Sequence, residues 1–503
     1  MTAGVKKLFS GFMQMIVIGL YLIAGGMLLY LFYRSVRFPY DFSEYYSGLL
    51  TFIFTVAYLI LFILLAVFVR RISERILAVT GWIMIAATVC FQIYIAVEIQ
   101  LLPDVDLSYV IQQSKDMLGN GKHYFTNREY FSVNANNIPL AILIYWVFFI
   151  GRAMGVTNYE LIGGLFNVLM NFLTYVFGYF LARRLTDKRT SFLFLVFLLT
   201  NPSLYAYASY YYTDTISLAF TTIGVYCFVS GIQEEKKGIR WFWYISSGFF
   251  LFVAFRIRVT SVFIVIAAAV YWLLCRRERT DFRDKVLPFV IGTLVALLCY
   301  TGIYHYHIDF NTKDTATTWQ YFVAMGANRE TGGGYCQSDF DDTVRLPDHQ
   351  SKVEYNTEKW KSRVRELGFR GAVTLARDKE CMVWTAGCKH YFQYLEHVKT
   401  KNPIYYYIEG NKSAWFRNYM QAYNNLLLIA AALSILLSIK QREERPFQNI
   451  LVIYWLGGAL FYAFWEAHAR YSVSFLLLMS LLLIPLLEKI VNIQGKLTRR
   501  PRD

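Results

Sequence analysis

Two aspartates, Asp104 and Asp106, stand directly after a long apolar run, in the stretch LLPDVDLSYVIQQSKDMLGNG at residues 101–121. A carboxylate in such a place can take a proton from an attacking hydroxyl group, as a general base does. The same Asp-x-Asp spacing can also hold a divalent cation, because hard cations prefer carboxylate oxygens. An aspartate at the start of a helix is equally a common cap, so this stretch alone leaves the catalytic and the capping interpretation open.

Three further stretches place ionisable side chains between apolar runs. They are YYYTDTISL with Asp214, FRIRVT with Arg256 and Arg258, and FWEAHARYS with Glu466, His468 and Arg470. Charged groups at such positions are costly in a membrane, and they usually face a cavity or one another. Each residue alone is explained more simply as a snorkelling or capping side chain. Together they predict one cavity that suits a lipid-linked phosphate, because arginine holds phosphate bidentately and a carboxylate takes a proton.

The composition identifies the kind of protein that must position these groups. The 503 residues are 56% hydrophobic and only 17% charged, and the mean hydropathy is positive. The apolar residues form runs of about 18–25 residues, long enough to cross a bilayer as helices. Much of the net charge of +15 lies in short loops between those runs. That is the positive-inside pattern, so the sequence predicts an all-α polytopic membrane protein that binds no nucleic acid.

Twelve spans are predicted, with both termini in the cytoplasm. The runs cover residues 11–33, 48–69, 77–101, 158–182, 190–209, 214–232, 241–255, 259–275, 286–304, 422–439, 447–465 and 471–488. This count places the basic clusters, such as Arg183 with Arg184, on the cytoplasmic side, and the acids and arginines of the candidate site outside. The apolar stretch 138–156 would break that parity if it crossed. We therefore expect it to lie at the membrane interface or to re-enter.

A helix that lies on the membrane surface is predicted after Asp106. Leu107, Val110, Ile111 and Leu118 fall on one helical face, whereas polar side chains occupy the rest. With the stretch 138–156, this helix gives the first large outer loop its interfacial helices.

Four regions follow from this layout. They are an additional N-terminal transmembrane hairpin at 1–76, a transmembrane core at 77–304 with its outer loop 102–157, a small extracytoplasmic domain at 305–421, and the last spans with a basic cytoplasmic tail at 422–503. A charged helix is expected at 351–366. Three cysteines of the outer domain, Cys336, Cys381 and Cys388, allow one disulfide and leave its pairing open. No spacing typical of a zinc site occurs.

The order of these motifs resembles the GT-C superfamily, integral-membrane glycosyltransferases that use polyprenyl-phosphate sugars. The branches in question include the protein O-mannosyltransferases and aminoarabinose transferases. The resemblance rests on Pro-Asp-x-Asp at 103–106, Tyr109 and the Met-Leu-Gly-Asn-Gly end at 117–121, Asn-Ile-Pro-Leu at 137–140, Tyr-Thr-Asp at 212–214 and Glu-Ala-His-Ala-Arg-Tyr at 466–471. Only the Pro-Leu half of a Lys-Pro-Pro-Leu turn matches, and the prolines that often follow the Arg-Tyr motif are absent. The stretches FVAMGANRETGGGY and GFRGAVTLARDKECMVWTAG are similar to Gram-positive cell-envelope members.

The resemblance implies a mechanism and a role for each candidate residue. Asp104 would be the general base that deprotonates an acceptor hydroxyl, and this hydroxyl would displace polyprenyl phosphate with inversion. The residues that would orient the acceptor or tune the base are Asp106, Tyr109, Tyr212 and Asp214. The residues that would neutralise the leaving phosphate are Arg470, Arg256, Arg258 and His468. No cofactor is expected, although the Asp-x-Asp spacing leaves a divalent metal open.

Other interpretations also fit a chain of many spans. A lipid-linked sugar transporter or flippase would favour charges at the membrane midplane and an inverted repeat, and neither is evident. A polysaccharide polymerase or ligase usually lacks the early acidic loop, and a non-catalytic scaffold would tolerate replacement of the charges. The sequence leaves open the sugar, the oligomeric state and the acceptor, which is a teichoic acid-like or other surface polysaccharide, a glycolipid or a protein.

Overall fold

The structure, a computed structural model, describes residues 3–39, 46–121, 125–275 and 280–497. The α-helices, in chain order, are α1 Ala3–Arg37, α2 Gly48–Val69, α3 Glu74–Glu98, α4 Val105–Asn120, α5 Arg128–Val133, α6 Ile138–Ala153, α7 Tyr159–Leu185, α8 Lys188–Leu199, α9 Pro202–Ala206, α10 Thr213–Gln233, α11 Lys237–Ile257, α12 Phe263–Cys275, α13 Thr280–His307, α14 Trp319–Gly326, α15 Gln337–Val344, α16 His349–Thr385, α17 Phe392–Leu395, α18 Pro403–Ile408, α19 Ala414–Ser438, α20 Pro446–Phe464, α21 Leu476–Leu481 and α22 Ile484–Leu497. Short 3₁₀ turns lie at Ala135–Asn137, Val259–Val262, Ile439–Glu444 and Ala469–Phe475.

The all-α polytopic fold predicted from the sequence is confirmed. Within the described residues, eleven helical segments are long and apolar enough to cross a membrane. They are Gly11–Arg37, Gly48–Val69, Glu74–Glu98, Ala135–Ala153, Tyr159–Leu185, Thr213–Gln233, Lys237–Ile257, Arg283–His307, Ala414–Arg442, Pro446–Phe464 and Ala469–Asn492, with a shorter apolar helix at Val259–Leu274. The predicted basic tail continues past Leu497, and that continuation lies outside the described residues, as do Arg276, Arg277 and Arg279.

One predicted span, 190–209, is broken. Helix α8 has 12 residues, and α9 begins at Pro202 after a turn. The side chain of Asn201 caps α9 by accepting a hydrogen bond from the Ser203 amide at 3.0 Å. Proline fits the first turn of a helix but does not continue one, which explains the break. Twelve residues extend roughly 18 Å, less than the ~30 Å of a hydrocarbon core.

Helix α6 lies across the ends of other helices. The rings of Tyr145 and Trp146, near its middle, contact the His307 ring at the end of α13, with centroids 5.4 and 6.0 Å apart. Arg152, near its C-terminus, donates to the carbonyl of Leu118 at the end of α4 at 3.1 Å. The length and composition of this segment would allow it to cross a membrane, so its interfacial position stays a prediction.

Small residues bring α11 and α13 into close contact. A Cβ atom added at Gly248 would lie 2.1 Å from the Phe289 carbonyl oxygen, and one added at Gly292 would lie 1.9 Å from that of Ile245. Small residues at helix interfaces are the usual way to obtain close backbone packing in membranes. This crossing fixes the end of α11, which carries Arg256 and Arg258.

The predicted outer domain, 305–421, is helical, and its second half enters the helix bundle. The charged helix predicted at 351–366 is the first part of α16, which bends at Gly368 (φ +56°). Beyond the bend, Trp384 is buried against Trp455 and Phe475, with ring centroids 5.8 and 5.3 Å away. The first half of α16 instead forms a salt-bridged layer outside the bundle.

The sequence left open whether two of the three cysteines in this segment form a disulfide. Cys336 and Cys381 carry free thiols, and the Cys388 Sγ faces the Arg417 carbonyl oxygen at 3.7 Å. Burial raises the pKa of the Cys381 thiol, which keeps it protonated and unreactive. No disulfide therefore joins these three cysteines in the structure as described.

Candidate active site

A ring of hydrogen bonds surrounds the carboxylate of Asp106. Tyr130 donates its hydroxyl to Asp106 Oδ1 at 2.6 Å, and the Asn137 amide donates to the Tyr130 hydroxyl at 2.8 Å. The Tyr212 hydroxyl lies 3.1 Å from Asn137 Oδ1 and 3.4 Å from Asp106 Oδ2. Four residues from the turns at the starts of four helices thus hold one another. We name this set, Asp106, Tyr130, Asn137 and Tyr212, the carboxylate ring.

The phenols of the carboxylate ring remain protonated. Burial, followed by the charge of Asp106, raises the pKa of both Tyr130 and Tyr212. Tyr130 therefore donates to the carboxylate, Tyr212 shares its one proton between Asn137 Oδ1 and Asp106 Oδ2, and neither phenol competes with the carboxylate for a proton. Asp106 itself is half-buried, so an entering hydroxyl group can reach it. An ionised carboxylate has about four acceptor positions, and the two phenols occupy about two of them.

The second acid, Asp104, has a different environment. It is exposed and acts as the N-cap of α4, where its side chain accepts from the Val105 amide at 2.7 Å. Val105, between the two acids, has a φ of +49°. This left-handed conformation is unfavourable for a β-branched residue, costing about 1–3 kcal/mol. Such strain often marks a functional site, and here it reorients the chain between Asp104 and Asp106.

A second cluster forms around Asp214 at the start of α10. Its carboxylate lies 2.9 Å from Arg258 Nη1 and 3.2 Å from Arg470 Nε, and its side chain is 1% exposed. Both contacts are close charge pairs rather than well-aligned hydrogen bonds, because the carboxylate oxygens and both Nε groups lack hydrogen-bond geometry. We name these three residues the arginine clamp.

Aromatic rings surround the guanidinium of Arg470. Its centre lies 4.6 Å from the Tyr394 ring centroid and 5.1 Å from that of Tyr212. Its Nη1 donates to the Tyr210 hydroxyl at 3.0 Å. A cation over the face of a tyrosine ring is stabilised by the ring quadrupole, most strongly where water is excluded. Tyr212 belongs to the carboxylate ring and its aromatic ring faces Arg470, so it joins the carboxylate ring to the arginine clamp.

His468 orients the turn that carries Arg470. Its Nδ1 accepts from the Arg470 backbone amide at 3.2 Å. Burial, followed by the neighbouring charge of Arg470, lowers the pKa of His468, so the imidazole is neutral at pH 7. This environment fits a hydrogen-bond acceptor that shapes the turn. It does not fit the cation that the sequence interpretation assigned to a phosphate.

Two other predicted residues lie at the margin. Arg256 donates to the Tyr300 hydroxyl at 2.5 Å and covers that ring at 4.2 Å, so it points to α13 and not to Asp214. Tyr109 stacks on Tyr130, with centroids 4.0 Å apart, and is exposed on its other face. Of the two arginines proposed for the hairpin after α11, the structure brings only Arg258 to the clamp.

Buried polar groups of α7 hold the loop that enters the site. The Asn167 amide donates to the carbonyls of Tyr207 and Ala208 at 2.7 and 3.0 Å. Its Oδ1 accepts from the Thr215 hydroxyl at 2.5 Å. Inside a membrane such side chains fix helices and loops because unpaired polar groups are costly. Asn167 therefore sets the positions of Tyr210, Tyr212 and Asp214.

Glu466 adds a buried acid beside the clamp. Its Oε2 accepts from the Tyr471 hydroxyl at 2.6 Å, and burial raises its pKa, which favours the neutral form. The turn that carries it is bound from the outer segment, because the Ala467 amide donates to the Gly333 carbonyl at 2.9 Å. Gly332 and Gly333 have φ values of +62° and +78°, which explains the glycine run of this loop.

Sequence reasoning missed Tyr130 and Tyr394 as site residues. The chain has 39 tyrosines, and nothing in the local pattern distinguishes these two. Asn137 had a signal, because it precedes the Ile-Pro-Leu motif. Among the described residues, no three His, Cys, Asp or Glu side chains form a group that could hold a metal ion.

Comparison with known families adds one decisive finding. A family model described as a conserved hypothetical integral membrane protein matches residues 12–490. The chain belongs to this family. Among curated proteins, none matches the sequence.

Solved structures that are similar to this chain include those of two proteins. An Archaeoglobus fulgidus oligosaccharyltransferase tethered to an acceptor peptide is 13% identical, with 82% of this chain and 50% of that chain covered and a TM-score of 0.45. The same archaeal protein in complex with an inhibitory peptide and a dolichol-phosphate is 12% identical, with 83% of this chain and 52% of that chain covered and a TM-score of 0.45. Cupriavidus metallidurans ArnT bound to undecaprenyl phosphate is 12% identical, with 84% of this chain and 82% of that chain covered and a TM-score of 0.37. This member of the family spans about half the length of the oligosaccharyltransferase chains.

Proposed function

We propose that this protein is a membrane glycosyltransferase of the GT-C type. It would move a hexose-type sugar from a polyprenyl-phosphate donor to an acceptor hydroxyl at the outer face of the membrane. The observation that carries the proposal is the junction, through Tyr212, of a half-buried carboxylate with a clamp of two arginines. The first group is suited to take a proton, and the second to hold a phosphate.

The charges of the arginine clamp support a phosphate ligand. Arg258 and Arg470 bring two positive charges, Asp214 one negative charge, and Glu466 favours its neutral form. One positive charge is thus left in a buried place, where an unbalanced charge is costly. A sugar phosphodiester carries one negative charge and would balance it. Each guanidinium has five N–H donors, so both can hold Asp214 and a phosphate oxygen at once.

Asp106 is the general base that we propose. The phenols of Tyr130 and Tyr212 orient its carboxylate, which is half-buried and therefore remains accessible to an acceptor. Asp104, the base expected from the sequence, is occupied as a helix cap at an exposed position. Its assignment stays a prediction, and the same substitution at both positions tests it. Tyr109 and Tyr130 together form a stacked aromatic surface on which a sugar or acceptor ring can lie.

The reaction would be a single displacement. Asp106 accepts the proton of the acceptor hydroxyl while that oxygen forms a bond to the anomeric carbon. The bond from this carbon to the phosphate oxygen breaks, and its electron pair leaves with the polyprenyl phosphate. Arg470 and Arg258 stabilise the charge that develops on the leaving phosphate, the usual role of preorganised cations. Inversion at the anomeric carbon is expected from the GT-C resemblance.

The sidedness of the site is part of the proposal. The arginine clamp lies at the ends of α11 and α20, whose opposite ends carry the basic residues Lys237 and Arg445. Basic loops usually remain in the cytoplasm, which places the clusters outside and both termini inside. Acceptors available there include a cell-wall or other surface polysaccharide, of teichoic acid type among others, a glycolipid and a protein.

The first experiment identifies the donor. Lipids extracted from the purified protein are analysed by mass spectrometry, and we expect polyprenyl phosphate or its monosaccharide ester. The finding of ordinary phospholipids alone, repeated after expression with an enriched polyprenyl-phosphate pool, would count against the proposal.

The second experiment separates an enzyme from a carrier. The purified protein in nanodiscs receives a radiolabelled polyprenyl-phosphate hexose and a fraction of surface glycopolymer. Transfer of label to the polymer is expected. Movement of the donor across a vesicle bilayer without a labelled product would instead identify a flippase. A product that forms equally well with Asp106→Asn and Asp104→Asn would favour a polymerase or ligase.

A further inference from the structure

A large apolar cavity lies at the helix ends opposite to the candidate active site. Its volume is about 760 Å³, and its walls come from α10, α11, α12, α13 and α20. Apolar wall residues include Val225, Phe228, Ile264, Ala268, Phe289 and Leu451. A volume of this size is typical of sites for small organic molecules, which occupy roughly 300–1,000 Å³.

Two helices place the cavity and the candidate active site at opposite ends of the helix bundle. Helix α10 begins at Thr213, next to Asp214 of the arginine clamp, and ends at Gln233 on the cavity wall. Helix α20 begins at Pro446 on the cavity wall and ends next to the Glu466 turn. At 1.5 Å per residue, the 21 residues of α10 cover roughly 31 Å, the thickness of a hydrocarbon core.

The depth of the cavity corresponds to one leaflet. Along α12 its wall extends from Ile264 to Leu273, which is roughly 14 Å at 1.5 Å per residue. Half of a hydrocarbon core measures roughly 15 Å. An acyl chain that enters from the leaflet opposite the active site would therefore fill the cavity from rim to floor.

The rim carries the charge that an anionic head group needs. Arg184, Lys285, Arg445 and Glu444 line the cavity near the ends of the helices that form its rim. Arg445 already forms an ion pair with Glu488, whereas Arg184 is exposed at the rim. The charges of the four rim residues sum to +2, since three are basic and one is acidic. Basic residues at the membrane surface attract anionic lipids, by about 1 kcal/mol each.

We propose that this cavity is a binding site for an anionic phospholipid of the leaflet opposite the active site, with Arg184 and Lys285 on its phosphate and its acyl chains against α10, α12 and α13. The occupant differs from the proposed sugar donor, whose phosphate lies at the other membrane face. The inference does not depend on the proposed glycosyl transfer.

The test measures lipid binding to the purified full-length protein by native mass spectrometry. Phosphatidylglycerol and phosphatidylcholine with identical acyl chains are titrated in detergent. The wild type should retain phosphatidylglycerol at concentrations where phosphatidylcholine is lost. Arg184→Gln combined with Lys285→Gln should weaken phosphatidylglycerol about 25-fold, at about fivefold for each basic residue. Arg183→Gln combined with Arg283→Gln, the matched control on the same helices but off the rim, should leave the affinity unchanged.

A second variant tests the acyl-chain part of the site. Ala268→Phe fills the wall of the cavity and should weaken both lipids at least tenfold, whereas Ala87→Phe, at a lipid-facing alanine of α3, should not. If Ala268→Phe does not fold, the lipid binding of the rim variants at Arg184 and Lys285 decides the proposal. Equal retention of both lipids by the wild type overturns the proposal. Unchanged phosphatidylglycerol binding by the rim variants also overturns the proposal. Displacement of phosphatidylglycerol by undecaprenyl phosphate overturns it as well, because the cavity would then be a site for the polyprenyl tail. Asp106→Asn should leave phosphatidylglycerol binding unchanged.

Discussion

The two carboxylates at the centre of the site, Asp106 and Asp214, meet opposite kinds of partner. Asp106 is half-buried and accepts hydrogen bonds from neutral phenols, whereas Asp214 is buried between two guanidiniums. A carboxylate that is paired with two guanidiniums at close range has few positions left for a reacting hydroxyl group. We therefore propose that Asp106 takes part in the chemistry and that Asp214 holds the surrounding elements together.

The difference extends to the surrounding elements. Asp106 is held by short helices and turns near the surface, which an entering acceptor can reach. Asp214 joins the start of α10 to the turn before α12 and to the 3₁₀ turn after α20. Changes on the Asp106 side should thus alter turnover, and changes on the Asp214 side should alter stability.

The largest expected effect follows replacement of Asp214 by asparagine. Two buried arginines would lose their counter-charge, and such a loss usually costs about 3–5 kcal/mol. We expect a lower yield of folded protein and a lower unfolding temperature in detergent. The control is Asp284→Asn, which loses a surface pair with Lys237 and should change stability by less than about 1 kcal/mol. A stable Asp214→Asn protein with normal lipid binding would contradict the architectural role.

The next effect concerns pH and the buried Lys379, whose Nζ donates to the carbonyls of Gly326 and Ala463 beside the Glu466 turn. Burial lowers the pKa of Lys379 to about 7. Between that value and the ordinary lysine value, the unfolded chain binds a proton that the folded protein does not. Raising the pH from 7 to 9 should therefore stabilise the wild type, by up to about 1.4 kcal/mol per pH unit, relative to Lys379→Met.

The measurement for Lys379 is the unfolding temperature across that pH range. Lys361→Met, on the exposed face of the same helix, serves as the matched control and should follow the wild type. Parallel curves for the wild type and Lys379→Met would show that Lys379 does not titrate in this window.

A smaller effect is expected at the link between the two clusters. Tyr212→Phe removes the hydroxyl between Asn137 and Asp106 but keeps the ring that covers Arg470. We expect transfer to fall about tenfold, from the loss of about one hydrogen bond to a charged group, with donor binding unchanged. Tyr211→Phe is the control, since that hydroxyl has no hydrogen bond among the described residues. Equal turnover of Tyr212→Phe and Tyr211→Phe would show that the Tyr212 hydroxyl does not contribute to the transfer reaction.

Sequence patterns could predict the fold class and the general location of the site. Ionisable residues are rare in apolar runs, so Asp214, Arg258 and Arg470 were recognisable, and the structure brings them together. The break before Pro202 was also indicated by the Asn201-Pro202 pair, which the count of spans did not take into account. Hydropathy alone does not distinguish a crossing run from one that ends at Asn201.

Other features depend on side-chain directions that no local pattern records. The choice between Asp104 and Asp106 depends on the left-handed backbone of Val105. Tyr130 and Tyr394 reach the site only through tertiary packing. The sequence did not predict that the second half of α16 enters the helix bundle, because the charged first half is typical of a soluble helix.

The most direct test of the central claim compares two single-carboxylate variants, Asp106→Asn and Asp104→Asn, in one transfer assay with the labelled polyprenyl-phosphate donor. Both variants should fold and bind the donor. The account predicts that Asp106→Asn loses about two orders of magnitude or more in turnover, the range for a general base, and that Asp104→Asn stays within a few-fold of the wild type. Loss of turnover in Asp104→Asn with near-normal turnover in Asp106→Asn would contradict it.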